Sequence, residues 1–384
     1  MFSLKYLHER SFSERKSTFL TVKSPMTTLP LLPIPAFDRL TSSPAVWAAL
    51  LPAHRDLAEL KGLCTALPNP EILLDTLSIQ EAKDSSEIEN IITTHDELYA
   101  SQVDSAVGIA AKEVQHYLSG LRTGYSQVKT SGIIRLETIL SVQAEVEQND
   151  AGLRQLPGTV LKNEVTGEVI YEPPQSAEEV ARLMANLVDF IHADDELDSL
   201  VKMAIVHHQF ESIHPFYDGN GRAGRILNIL MLVREGLLEI PILYLSRYIN
   251  QTRQDYYRLL RVAREEDRWE DWCVYILNGI SRTARSEIAL IKQLRDLIED
   301  FKKRLRDEFP KLYRQDLLNT LFRYPYTKID FLEKELGISR PTATKYLKLL
   351  TGAGFLETRK IGRSHFYVNR ELFRLLSTIQ LPAV

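Results

Sequence analysis

The 384-residue chain has the composition of a globular protein, with 44% hydrophobic residues, 26% charged residues and a formal net charge of −4. A slightly acidic chain of this length predicts two or three domains and excludes a general polyanion-binding protein. Cys64 and Cys273 are far apart, which excludes a disulfide framework and predicts a reducing, cytoplasmic location. We find no signal-peptide pattern and no uncharged apolar run of membrane-spanning length, so we expect no membrane partner.

The N-terminal third of the chain predicts an irregular extension followed by helices. Residues 1–44 lack helical periodicity, and the proline-rich run 24–35 favours extended backbone, so we expect this extension to be partly extended or disordered. Residues 1–25 differ in sequence character from the residues that follow, and Met26 is an alternative native start. In residues 45–130 apolar side chains recur every three or four positions, which predicts a helical region. The stretches with this pattern are 45–66, 71–83, 87–99 and 108–123.

The middle of the chain predicts a β-hairpin carried by a helical domain. Residues 159–162 and 168–171 are β-prone runs flanking a turn, and we assign the hairpin to 156–174. Helical periodicity surrounds this hairpin, so 131–290 is the predicted core and 291–309 a linking helix. The helical stretches are 132–147, 177–192, 198–212, 221–234, 254–264 and 269–309. The chain is therefore expected to be mainly α.

Residues 310–384 predict a separate winged-helix domain. Residues 327–336 and 339–350 have the pattern of two helices, and 355–368 that of two strands joined by a tight turn. From residue 339 to 370 there are seven basic residues and one acid, as in winged helices that bind DNA. The basic residues are Arg340, Lys345, Lys348, Arg359, Lys360, Arg363 and Arg370. Winged helices also dock proteins, and the sequence does not choose between a DNA and a protein partner.

Residues 214–225 read HPFYDGNGRAGR and combine the groups that phosphate chemistry requires. Gly219, Asn220 and Gly221 separate two helical patterns, so their backbone N–H groups and the following helix N-terminus form an anion site. Two arginines three positions apart can clamp further phosphate oxygens, and a preceding carboxylate suits Mg²⁺. A histidine can take the proton from an attacking hydroxyl. These side chains are Arg222, Arg225, Asp218 and His214.

This segment resembles the signature of Fic-type protein adenylyltransferases, which has a histidine, a phenylalanine, an acidic residue, Gly-Asn-Gly-Arg and a final arginine. The resemblance covers about residues 45–290 and implies a Fic-type helical bundle whose hairpin forms a flap. It further implies transfer of AMP from ATP, with Mg²⁺, to a Ser, Thr or Tyr hydroxyl of a target protein, the enzyme itself included.

Roles for individual residues follow from the resemblance. His214 would be the catalytic base, Asp218 the Mg²⁺ ligand and Arg225 the ligand of the γ-phosphate. The other ATP-binding residues would be Gly219, Asn220, Gly221, Arg222, Ala223, Gly224, Tyr256 and Tyr257. An extended target segment would add along the edge of the flap, near Val169, Ile170 and Tyr171.

Residues 84–90 read DSSEIEN and are similar to the inhibitory Ser/Thr-x-x-x-Glu-Gly/Asn motif of one Fic class. Ser85 and Glu89 share a face if this segment is helical, and we expect an inhibitory helix near 85–99, with Asn90 completing the motif. The resemblance implies that Glu89 enters the ATP site, pairs with Arg225 and misplaces bound ATP. The alternative is a helix N-cap at Ser85 or Ser86 with an exposed Glu89.

Three functions compete at this level. The first is a protein AMP transferase, and the second is a DNA-binding regulator whose Fic core senses nucleotide. The third is a metal hydrolase using His207, His208 and His214, which the absence of His-Glu-x-x-His from HHQFESIH disfavours. Removal of AMP, with Glu89 orienting water, also stays open. Neither the target protein nor the oligomeric state, a homodimer included, follows from the sequence.

Overall fold

The computed structural model describes residues 29–65, 71–101, 108–162, 167–361 and 364–378. The features predicted for residues 1–28 therefore lie outside the described residues. A short 3₁₀-helix spans Pro35–Arg39. The helices are α1 (Pro44–Thr65), α2 (Glu71–Ile88), α3 (His95–Ser101), α4 (Ile109–Ser131), α5 (Leu136–Glu147), α6 (Ala177–His192), α7 (Ser199–Ile213), α8 (Asn220–Arg234), α9 (Ser246–Gln251), α10 (Arg253–Glu266), α11 (Trp269–Glu308), α12 (Gln315–Arg323), α13 (Ile329–Leu336), α14 (Arg340–Gly352) and α15 (Arg370–Ser377). The strands are β1 (Leu161–Lys162), β2 (Val169–Tyr171), β3 (Tyr326–Thr327), β4 (Glu357–Ile361) and β5 (Ser364–Val368).

Helices α7 and α8 form the centre of the bundle. Every residue of α7 from Leu200 to Phe210 is buried, as expected of a helix that is apolar around most of its circumference. Helix α8 packs against α7, α4 and α5 on its own buried faces. Helix α4 packs close to α8 because it carries Gly124, where a Cβ would lie 2.7 Å from Leu230 Cδ1 of α8. The loop between α7 and α8 is thereby fixed at the middle of the molecule.

Helix α2 is longer than the sequence predicted. We expected a break after residue 83 and a new helix over 87–99, whereas α2 continues to Ile88 and α3 begins at His95. Both expected N-cap residues, Ser85 and Ser86, lie inside α2, and the buried Ser85 Oγ accepts from Arg225 Nε at 2.8 Å. The alternative of a cap at Ser85 or Ser86 is therefore wrong.

The expected hairpin is present as β1 and β2. The strands pair antiparallel, with Leu161 opposite Tyr171 and Lys162 opposite Val169. The turn residues 163–166 lie outside the described part of the chain. Because β1 and β2 form a two-stranded sheet among the described residues, each strand has one edge without a strand partner.

The C-terminal region has the element order expected of a winged helix. Helices α12, α13 and α14 precede the β4–β5 pair, and the antiparallel sheet has the order β3-β5-β4. This region packs against the end of the molecule that carries α2 and α3. Arg323 Nε of α12 lies 2.8 Å from Asp75 Oδ2 of α2, and Arg359 of β4 lies 2.9 Å from Asp96 of α3. Among the described residues, none of the helices has the length and apolar character needed to cross a bilayer.

Candidate active site

The α7–α8 loop is closed by the side chain of Asn220. Its Oδ1 accepts from the Phe216 backbone N–H at 2.8 Å, and its Nδ2 donates to the Phe216 carbonyl at 2.9 Å. The Phe216 ring is fully buried below the loop. Asn220, expected as a phosphate ligand, therefore uses its amide to hold the loop in shape, and the backbone N–H groups at the start of α8 are the candidate anion-binding element.

Two neighbouring carboxylates pack against the loop glycines Gly219 and Gly221, where a side chain would not fit. Gly219 has φ +77°, and a Cβ at this position would overlap Glu147 Oε1. A Cβ at Gly221 would overlap Glu89 Oε1. The Glu89 carboxylate thus lies on the first turn of α8, where the helix dipole and free N–H groups favour a negative charge. The carboxylate therefore lies where the sequence analysis expected phosphate oxygens.

His214 lies at the end of α7 with left-handed backbone, φ +51°. Its backbone N–H donates to the Phe210 carbonyl at 3.0 Å, and the residue is 7% exposed. Burial lowers the pKa of the imidazole to about 4. The ring is therefore neutral at physiological pH and able to accept a proton.

Arg225 is held by the end of α2. Its guanidinium donates to Ser85 Oγ at 2.8 Å, to the Ser85 carbonyl at 3.0 Å and to Glu89 Oε1 at 2.8 Å. Burial by itself would lower the pKa of Arg225, but the Glu89 and Glu211 carboxylates outweigh burial and raise it. The contact expected between Glu89 and Arg225 is therefore present, and it places a charged pair where an ATP γ-phosphate was expected. Asn90, next in the chain, is exposed and takes φ +59°, which ends the helical turn.

Arg222 is also paired with carboxylates, which the sequence did not indicate. Its Nη1 lies 2.9 Å from Glu113 Oε2 of α4, and its Nη2 lies 2.5 Å from Glu147 Oε1 at the end of α5. Burial raises the pKa of Glu147 to about 7, and the Arg222 charge opposes this rise. Glu113 and Glu147 lie outside any motif, so the tertiary fold was needed to find them.

Asp218 is the exposed carboxylate at the rim of the loop, where its Oδ1 accepts from the Gly219 backbone N–H at 2.8 Å. Mg²⁺ is commonly held by one or two carboxylates together with substrate phosphates and waters. An exposed carboxylate beside a phosphate-type loop fits that donor set. Within the described residues, no group of three or more His, Cys, Asp or Glu side chains is arranged to hold a metal ion.

Two cavities meet at His214. The cavity under the loop has a volume of about 50 Å³ and is lined by Glu89, Arg225 and the residues of the phosphate loop. The second, of about 760 Å³, lies between the hairpin and α10. Both are lined by Glu211, His214 and Tyr257. An imidazole at this junction faces a phosphate-binding loop on one side and an open groove on the other.

The two tyrosines of α10 differ. Tyr257 is half-buried and lines both cavities. Tyr256 is buried, and its hydroxyl lies 3.0 Å from His207 Nε2, so its polar end belongs to the protein core although its ring borders the loop cavity. His208 Nε2 lies 2.9 Å from the Leu260 carbonyl. The neighbouring histidines of α7 thus serve as packing residues, which removes support from the three-histidine metal site.

The hairpin presents two of its three expected docking residues. Val169 is 51% exposed and Ile170 is 43% exposed. Tyr171 points inward, because its hydroxyl donates to the Ser212 carbonyl at 2.7 Å and the Arg264 guanidinium lies 3.5 Å from its ring centroid. We therefore regard Tyr171 as an anchor of the hairpin on α7.

Family models match three successive parts of the chain. They are the Fic/DOC family N-terminal model at 47–126, the Fic/DOC family model at 133–232, and the C-terminal domain of protein adenylyltransferase SoFic-like proteins at 297–372. A probable protein adenylyltransferase of Aquifex aeolicus is 28% identical over 186 residues, which are 47% of this chain and 51% of that protein. A protein adenylyltransferase of Caenorhabditis elegans is 34% identical over 98 residues, 24% of this chain and 18% of that protein. The chain thus spans about half the length of the first relative and less than a fifth of the second.

Solved structures show the same fold at low sequence identity. A Fic family protein from Desulfovibrio desulfuricans superposes with a TM-score of 0.55 at 20% identity, over 85% of this chain and 96% of that one. A Fic domain containing signaling protein from Bacteroides thetaiotaomicron gives 0.52 at 20% identity, over 63% and 98%. With the family models, the loop and the bundle in agreement, the chain contains a Fic/DOC family N-terminal region at 47–126 and a Fic/DOC family domain at 133–232.

Proposed function

We propose that this protein transfers AMP from ATP to a Ser, Thr or Tyr hydroxyl of a target protein, itself included. The observation that carries the proposal is the position of the neutral His214 imidazole between the phosphate loop and the hairpin groove. The adenylyltransferase relatives support the same reaction class.

In the proposed reaction, His214 takes the proton of the target hydroxyl as its oxygen attacks the α-phosphorus. A phosphorus–oxygen bond to the target forms, the bond to the β-phosphate breaks, and pyrophosphate leaves. The α8 N-terminus and the Arg222 and Arg225 guanidinium groups stabilise the negative charge on the phosphates. When bound at Asp218, Mg²⁺ would neutralise further charge on the leaving pyrophosphate.

Labelled ATP tests this reaction directly. With ATP labelled at the α-phosphate, we expect covalent label on the target or on the protein itself; with label at the γ-phosphate we expect none. Label that transfers from the γ-phosphate would identify a kinase, and no transfer of either label by the wild type and by Glu89→Gly would favour the nucleotide-sensing regulator. Incubation of AMP-modified protein without ATP tests the reverse reaction, whose product would be free AMP.

We further propose that Glu89 restrains this reaction. Its carboxylate occupies the first turn of α8 and pairs with Arg225, so the γ-phosphate has neither its space nor its ligand. A cavity of about 50 Å³ supports the same proposal, because it is far smaller than a triphosphate requires. The restraint is thus competition between a carboxylate and a phosphate for one anion site.

For the C-terminal region, we propose duplex DNA as the partner of α14. The specific observation is a shallow cleft on its outer face, where the exposed Lys345 and Lys348 lie beside Thr344. The basic face is smaller than the sequence indicated, since Arg340 pairs with Asp330 and Arg359 with Asp96. The full chain should bind duplex with an affinity that falls as salt rises, and Lys345→Ala with Lys348→Ala should reduce the salt slope by about two. Salt-independent or absent binding would favour protein docking.

A further inference from the structure

Arg154 is a buried arginine in the segment that joins α5 to the hairpin, and it is 1% exposed. Its Nε donates to the His214 carbonyl at 2.8 Å, and its Nη2 donates to the Ile213 carbonyl at 3.3 Å and to the Pro174 carbonyl. Its own backbone N–H donates to the Pro215 carbonyl at 2.9 Å. Among the described residues, no carboxylate forms an ion pair with Arg154, so its charge is directed at backbone carbonyls.

These carbonyls belong to two parts of the site. Ile213 and His214 end α7, where the last carbonyls of a helix lack partners within the helix and attract a positive charge. Pro174 closes the hairpin segment on its C-terminal side. One planar guanidinium therefore joins the backbone of the base to the support of the flap.

His214 needs such support. A non-glycine residue at φ +51° is held in a sparsely populated conformation that L-residues rarely adopt. The hydrogen bond from Arg154 to the His214 carbonyl fixes the peptide on the C-terminal side of this residue. Misplacement of a reacting group by about 1 Å can cost on the order of a hundredfold in rate.

We propose that Arg154 is a positioning residue, which keeps the His214 imidazole and the hairpin in a fixed relation so that a docked hydroxyl meets the base. This inference rests on the proposed AMP transfer. Arg154 contacts neither ATP nor the target in this proposal. It positions the base, whereas other residues bind the phosphates.

The chain offers a matched control in the same segment. Tyr217 Oη accepts from the backbone N–H groups of Gln155 at 2.8 Å and Leu156 at 3.1 Å. Tyr217→Phe removes two hydrogen bonds between this segment and the loop, yet leaves the contacts to His214 and Pro174 in place. A general loosening of the segment would affect both variants, whereas loss of positioning affects Arg154 variants alone.

The test compares the full-length Arg154→Met, Arg154→Lys and Tyr217→Phe variants, assayed well below their melting temperatures. We expect Arg154→Met to lower kcat for AMP transfer on the order of tenfold to a hundredfold, with the Kd for ATP changed by less than about threefold because the phosphate ligands remain. Arg154→Lys should recover part of kcat, since an ammonium can still donate to two carbonyls. Tyr217→Phe should stay near the wild-type kcat.

Hydrogen exchange supplies a readout that does not depend on transfer. Amides of residues 158–162 and 167–172 should exchange faster in Arg154→Met than in the wild type and in Tyr217→Phe. Equal loss of kcat in Arg154→Met and Tyr217→Phe, an equal loss of ATP binding, or unchanged exchange in the hairpin would overturn the assignment. If neither the wild-type chain nor Glu89→Gly transfers AMP, the proposed function fails, while the exchange measurement still decides whether Arg154 anchors the hairpin.

Discussion

The two sides of His214 differ in how completely the protein fills them. On the side of the α7–α8 loop, Glu89 forms an ion pair with Arg225 and Ser85 accepts a hydrogen bond from it. The cavity that remains there has a volume of about 50 Å³. On the hairpin side, a groove of about 760 Å³ is bordered by a two-stranded sheet with exposed Val169 and Ile170. The proposed nucleotide side of the site is therefore nearly filled by protein, and the proposed target side is open.

The difference has a structural cause at the end of α2. Side chains of α9 and α10 satisfy the last carbonyls of this helix: Asn250 Nδ2 donates to the Asp84 carbonyl at 2.7 Å and Arg253 donates to the Glu87 carbonyl at 3.0 Å. Glu89 is thereby presented by a helix end that is fixed on the bundle. The hairpin is held on its inner side by Tyr171 and Arg154, whereas Val169 and Ile170 stay exposed. We infer that restraint acts on ATP and leaves target docking free.

The largest expected loss of AMP transfer comes from replacing His214, which lines both cavities. His214→Ala removes the proposed base while the phosphate loop, closed by Asn220, keeps its shape. AMP transfer should fall by about 10²–10⁴-fold with the Kd for ATP nearly unchanged. Quantitative transfer from α-labelled ATP and calorimetric titration with ATP check this. Near-normal transfer by the variant would refute the assignment of the base.

Arg225 tests the phosphate side. Arg225→Ala removes both the partner of Glu89 and a proposed ligand of the γ-phosphate, so transfer should fall on the order of 10²–10³-fold. Because the two residues act through one contact, Glu89→Gly should give no gain in the Arg225→Ala background. Additive effects in this double-mutant comparison would mean that Glu89 acts elsewhere.

The hairpin tests the open side with a smaller effect. Ile170→Asp places a charge on the exposed edge where an extended target segment is proposed to add, so KM for the target should rise about tenfold with the Kd for ATP unchanged. Leu156→Asp is the matched control, since Leu156 is 55% exposed but lies outside both strands. Equal effects of the two variants would exclude strand addition at this edge.

The smallest expected effect is on the pH profile. Because burial holds the pKa of His214 at about 4 rather than 6.5, the neutral base persists as pH falls, and its protonation should reduce kcat near pH 4. Glu147 and Glu211, whose pKa values burial raises to about 7, are the neighbouring groups that titrate closer to neutrality. An inflection near pH 6.5 that persists in Glu147→Gln and Glu211→Gln would contradict a buried neutral base.

Local patterns predicted the parts of this molecule that local physics determines. The α7–α8 loop, the hairpin and the long helices have spacings or turn residues that identify them. The short helices α9, α12 and α15 were missed. The predicted end of α2 at residue 83 was too early, because Ser85 resembles a capping residue until its contact with Arg225 is known. The carboxylates on Arg222 and the contacts of Arg154 join residues from 20 to 109 positions apart, so no local signal marks them.

Transfer of AMP by Glu89→Gly, compared with the wild type and with Glu87→Gly, tests the closed phosphate side most directly. Glu87 lies two residues earlier and pairs with Lys83, so its replacement introduces the same glycine near the same helix end without touching Arg225. If releasing the pair shifts the balance by about 3 kcal/mol, self-modification with α-labelled ATP should rise on the order of a hundredfold in Glu89→Gly. Glu87→Gly should remain at the wild-type level. Unchanged or reduced transfer in Glu89→Gly, or an equal rise in both variants, would contradict the account.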